Sequence, residues 1–210
     1  MRRRLIIAIG SLLALNVAPA LAQTAPLATP PATPPQRVRG TIAALDGNAL
    51  TVTSRTGEKL DIALADPLTV ATVKKVDLAS IAPGAYIGVA TRTAADGKLT
   101  ALEVLVFPEA MRGRGEGHYG WDLEPGSMMT NGTVKGAVSA ASGRELSIGY
   151  KDAANTIYVP PEAPVVTFAP AERADLKPGA TVFLAATKTA EGKLTADRVT
   201  VSKDGVAPPM

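Results

Sequence analysis

The 210-residue chain contains no cysteine, which excludes disulfides, thiolate catalysis and thiolate metal sites together. Aromatic residues are almost as scarce, with one Trp, four Tyr and three Phe. Proteins that bind single-stranded nucleic acid stack bases on aromatic rings inside a cationic groove, so this composition argues against that class. A single His leaves a zinc site short, because structural sites take four protein ligands and catalytic ones three, mostly His and Cys. Beyond residue 22 no apolar run is long enough to cross a membrane as a helix.

What is present begins with Arg2, Arg3 and Arg4, an apolar run from Leu5 to Ala18, and the small residues Ala20-Leu21-Ala22. This is the pattern of a secretory signal peptide over 1–22, cleaved before Gln23. An uncleaved anchor is the competing reading, but the run is short and holds a Gly, an Asn and a Pro. Cleavage removes three of the 22 basic residues and none of the 19 acidic ones, leaving 19 against 19. The sequence pI near 9.2 is therefore largely an export signal and no footprint for nucleic acid. The expected location is periplasmic or secreted.

Residues 23–36, QTAPLATPPATPPQ, have no hydrophobic periodicity and read as a Pro-rich tether. Residues 204–210 form a short tail. Between them lies an internal repeat. Gly40-Thr-Ile-Ala-Ala-Leu-Asp-Gly47, followed by Leu50 and Val52, answers to Gly136-Ala-Val-Ser-Ala-Ala-Ser-Gly143, followed by Leu146 and Ile148. Pro83-Gly84 answers to Pro178-Gly179, Thr91–Ala101 to Thr187–Ala196, and Val104 and Val106 to Val199 and Val201.

Apolar residues alternate in both copies, as strands with one buried face do, and Gly-containing turns separate them. The expected strands are 37–45, 49–54, 58–64, 85–94 and 98–106 in the first copy. In the second they are 133–141, 145–150, 155–160, 180–189 and 193–202. Leu99 and Ala101 share a parity that Val104 and Val106 break, which predicts a bulge. The segments VDLASIAPG and ERADLKPG have room for a one-turn helix at a barrel end.

The fold class expected is all-β: two tandem five-stranded OB-like barrels, repeat 1 over 37–106 and repeat 2 over 133–203, joined by a Gly-rich central segment over 107–132. A pair of small sandwiches would give a similar pattern. The signature of a G-x-[IV] strand, L-x-V, P-G and G-x-L-x-A-x-x-V-x-V also resembles a family of exported bacterial proteins known as a domain of unknown function, with OB-like barrels. The resemblance covers most of 37–203 and implies fold and compartment rather than an activity.

The central segment, FPEAMRGRGEGHYGWDLEPGSMMTNG, holds the only His, the only Trp and every Met except the first and last residues. Four readings compete for it. Gly113–Gly117 could cradle a phosphate, but a phosphate loop needs a strand before it, a helix after it and usually a Lys. Ser127, His118 and Asp122 are the ingredients of a hydrolase, yet they crowd one Gly-rich stretch without rigid supports. Hence no catalytic residue and no enzyme activity are expected.

The third reading is metal. His118 with Met111, Met128 and Met129 offers imidazole and thioether ligands suited to Cu(I). This set, with Trp121 as a ring to cap the ion, resembles the periplasmic copper and silver chaperones, which are small OB-like barrels too. Their methionines lie two apart on one strand face, whereas Met128 and Met129 are adjacent. The fourth reading is a clasp between barrels, or a partner site. Here Trp121 and Tyr119, with Phe107, Leu123 and the methionines, fill the seam, and Arg114, Glu116 and Asp122 supply polar contacts.

The leading functional expectation is a non-catalytic exported protein that binds an envelope protein or a small ligand, without a cofactor. The alternative is a periplasmic copper-handling protein.

Overall fold

In the computed structural model, residues 34–136 and 144–208 are described. The signal sequence and nearly all of the Pro-rich tether lie outside them, as do 137–141 of the expected strand 133–141. Twelve strands and three single-turn 3-10 helices make up the described chain, with no α-helix among the described residues. No helix there is long and apolar enough to cross a membrane.

The first repeat supplies β1 (Gln36–Asp46), β2 (Ala49–Ser54), β3 (Lys59–Lys75), β4 (Tyr86–Thr93) and β5 (Leu99–Val106). β6 (Gly117–Gly120) lies in the central segment. β7 (Met128–Val134) begins in the central segment and runs into the second repeat, which supplies β8 (Glu145–Tyr150), β9 (Ala153–Tyr158), β10 (Val165–Pro170), β11 (Thr181–Lys188) and β12 (Leu194–Val201). Alternation explains the inward faces: Val38 and Ile42 of β1, Leu50 and Val52 of β2, and Ile62 and Leu64 of β3 are buried. The expected bulge is present. Ala90 faces Glu103 and Thr91 faces Ala101, which leaves Leu102 unopposed on β5.

The pairings depart from one barrel per repeat. β1, β2 and β3 of the first repeat close a five-membered circuit with β11 and β12 of the second. β4 and β5 of the first close another with β7, β8 and β9 of the second. The exchange is reciprocal. Leu194 pairs with Ile62 and Val199 with Val70, while the equivalent Leu99 pairs with Ile157 and Val104 with Val165.

A pseudo-twofold axis relates the halves and passes where β3 and β10 run antiparallel, with Val73 opposite its equivalent Phe168. The end plugs are exchanged as well. Leu176, after the turn Arg173–Asp175, packs into the first core. Leu78 and Ile81, in and just after the turn Leu78–Ser80, pack into the second. The physical reason is that β3 runs through Asp66-Pro67 for 17 residues. It carries the chain out of one circuit before the Pro83-Gly84 turn sends it into the other.

One register expectation is corrected. The strand expected at 133–141 begins at Met128, and the counterpart of Gly40 is Gly132 rather than Gly136. Ile42 pairs with Val52 as Val134 pairs with Ile148. Gly132 and Gly136 are four apart and so share a strand parity. Alternation therefore cannot choose between them, and only the partner strand does.

Candidate functional site

The central segment lies across both circuits. On the first, the Trp121 ring packs against β1, with the Arg37 guanidinium 3.9 Å and that of Arg39 5.4 Å from its centroid. Asp122 adds ion pairs to Arg39 at 2.9 Å and Arg37 at 3.5 Å. Arg39 is only 8% exposed, and its other flank meets the Phe183 ring at 4.9 Å. Burial pushes the Asp122 carboxyl up, but its hydrogen bond to Arg39 and the charges of Arg39 and Arg37 outweigh this and hold it below its ordinary value. Arg55 Nη1 donates to Leu123 O at 3.4 Å.

On the second circuit, Arg112 Nη2 donates to Gly84 O at 2.9 Å and Lys151 N donates to Glu116 Oε1 at 2.8 Å. β6 pairs antiparallel with β7. Tyr86 Oη donates to Arg114 O at 3.1 Å, and Arg114 N donates to Met111 O, so Arg114 is held here through its main chain. Asn131, 7% exposed, uses Nδ2 to hold the loop at Gly115 O and Tyr119 Oη, both 3.1 Å away.

Burial of the Tyr86 phenol, reinforced by the Glu116 charge, pushes its pKa from 10.0 to about 12. A raised pKa on an acid means that the protonated form stabilises the fold. That contribution is complete below about pH 10 and is lost as pH climbs toward 12. We expect alkaline denaturation to cost the wild type on the order of 2 kcal/mol more than Tyr86→Phe between about pH 9 and pH 12. Urea melts at both ends of that window check it, and equal slopes for the two proteins would disprove it.

Under this segment lies an open cleft of about 290 Å³. Five of the chain's eight aromatic residues line it: Phe107, Tyr119, Trp121, Phe168 and Phe183. Met111, Met129, Leu105, Leu184, Ala90 and Ala185 add to the apolar wall, with Arg114, Arg198, Glu103 and Asp197 as its charged members. The cleft straddles the pseudo-twofold axis, because Gly88 and Phe183, Ala90 and Ala185, and Glu103 and Arg198 are equivalent positions that all line it. Its chemistry is nevertheless asymmetric. A Cβ on Gly88 would sit 2.5 Å from Asn131 Oδ1 and 3.0 Å from Phe107 Cε2, so Gly88 makes the room that Asn131 and Phe107 occupy.

The metal candidates fall on two faces of the β6–β7 pair. His118 pairs with Thr130 and Tyr119 with Met129 along β6 and β7. His118 Nδ1 lies 2.8 Å from Thr130 Oγ1 and 3.2 Å from Asn155 Nδ2, on one face of the strand pair. Met129 and Met111 line the cleft on the other face, and Met128, adjacent to Met129, shares the parity of Thr130. Among the described residues no group of three or more His, Asp and Glu is placed to hold a metal ion.

The hydrolase ingredients are likewise apart. Ser127 Oγ donates to Trp121 O at 3.0 Å or Glu124 O at 2.8 Å and closes the 121–127 turn, while Asp122 is held by the two arginines. Sequence reasoning missed Gly88, Asn131, Phe168, Phe183 and the pair Arg37 and Arg39. The one available signal was the repeat itself, in which Gly88 stands where the other copy has Phe183.

Interlocked five-strand circuits with an aromatic cleft on their shared axis define an all-β protein of the β-barrel class. Residues 39–104, essentially the first repeat, match the model of a family described as a domain of unknown function, DUF5666. No curated protein and no solved structure matches the chain.

Proposed function

We propose that the protein is an exported, non-catalytic binding protein whose central segment is both a clasp across the two circuits and one wall of its ligand site. Export rests on the signal-peptide pattern of residues 1–22. The observation that carries the binding reading is the cleft. A chain this poor in aromatics places five of its eight around one open hollow, and ligand sites are such apolar hollows with a few polar groups. Copper handling by His118 with the methionines would require Met111 and Met129 to leave the cleft wall.

The clasp is tested by melting. Trp121→Ala removes the ring that meets Arg37, Arg39 and Tyr119. Its expected cost is about 2 kcal/mol, below the range for a fully buried Trp because the ring is only partly buried. His118→Ala loses one polar network and should cost less than half of that. Thermal denaturation of both variants makes the comparison, and an unchanged melt for Trp121→Ala would remove the clasp.

A further inference from the structure

Resting on that reading, we propose that the cleft takes an uncharged, ring-bearing small molecule of one or two fused rings. Three features set this class. The volume, about 290 Å³, lies at the lower end of ligand pockets, too small for a helix or an extended peptide. The walls present rings at inclined angles. Tyr119 and Trp121 meet edge to face at 6.2 Å, and Phe107 and Phe168 are tilted by 48° at 6.2 Å. A further ring entering between them gains edge and offset contacts that an alkyl chain does not. The charged lining is balanced, two guanidinium groups against two carboxylates, so the cleft offers no net field to select an ion.

Trp121 is the only tryptophan of the chain and stands in the cleft wall, so its emission reports occupancy directly. The experiment uses the full mature chain and the neutral fluorophore N-phenyl-1-naphthylamine. The expected result is saturable one-to-one binding with loss of Trp121 emission by energy transfer. Ala185 is an exposed residue of the cleft wall, so Ala185→Phe fills the hollow. This variant should weaken binding about tenfold or more while the melt stays unchanged. Should Ala185→Phe fail to fold, Ala185→Leu makes the same test with a smaller side chain.

Competition then separates the ligand class from the site. Displacement by 2-naphthol, with 1-octanol and 2-naphthoate each at least about tenfold weaker, supports the inference. If 1-octanol competes equally the ring preference is wrong, and if 2-naphthoate competes better the neutrality is wrong, with the binding reading intact in both cases. No saturable binding, or binding that does not quench Trp121, overturns the binding reading itself.

Discussion

Gly40→Ala is expected to destabilise the protein by about 3 kcal/mol or more, among the largest effects a single methyl group can have here. A Cβ at Gly40 would lie 2.1 Å from Thr53 O and 2.8 Å from Val52 Cγ1. The first of these is a main-chain carbonyl inside the β1–β2 ladder, which cannot swing aside as a side-chain tip could. Gly132→Ala should cost a similar amount, since its Cβ would meet Gly149 O at 2.4 Å. Gly136 has open space around it, and Gly136→Ala should be nearly neutral. Chemical denaturation of the three variants therefore also tests the register of the second repeat. If Gly136→Ala is the costly one, Gly136 is the true counterpart of Gly40 and the pairing of β7 with β8 is wrong.

Cutting the chain within Gly113–Gly115 should leave its two halves bound to each other. In the first core, Val38, Ile42, Leu50, Val52, Ile62 and Leu64 come from the first repeat and the other seven buried residues from the second. The second core divides in the same way, with Leu78, Ile81, Ile87, Val89, Ala101 and Val104 from the first repeat. At roughly 1.5 to 3 kcal/mol for each fully buried large aliphatic side chain, neither half keeps a closed core by itself. With a specific protease site inserted there, the nicked protein should elute as one species under native conditions. Its fragments should part only in denaturant, each unfolded alone, and refold on mixing. Two folded fragments that separate in native buffer would mean that each repeat closes its own barrel.

Much of the fold was legible in the sequence. Strands β1, β2, β4, β5, β8, β9, β11 and β12 fall within a residue or two of the expected ranges, because alternation and Gly turns act over a few residues and need no partner. The parity break between Ala101 and Val104 announced the bulge for the same reason. The second half of β3 and all of β10 were not legible. Pro67 interrupts one, and Pro160, Pro161 and Pro164 precede the other, so both lack the clean local pattern of a strand and exist by pairing across the axis.

The candidate site divides along the same line. Its aromatic and carboxylate content was visible in 107–132, and Trp121, Tyr119 and Asp122 do sit at the contact between the segment and β1 or in the cleft wall. Their partners Arg37 and Arg39, and the distant Phe168 and Phe183, carry no mark in the chain, because convergence across such separations is a property of packing.

By itself, then, the amino-acid order determined that the described chain is β-rich, repeated and without cysteine. It also placed the unusual residues in one segment between the copies. Only the tertiary structure decided which copy completes which barrel, since the two copies present almost the same pairing edges. A strand's local pattern specifies an edge to be paired, while the length of β3 and the turn after it dictate whose edge arrives. That choice puts equivalent positions of both repeats face to face across one axis, and the cleft is the space between them.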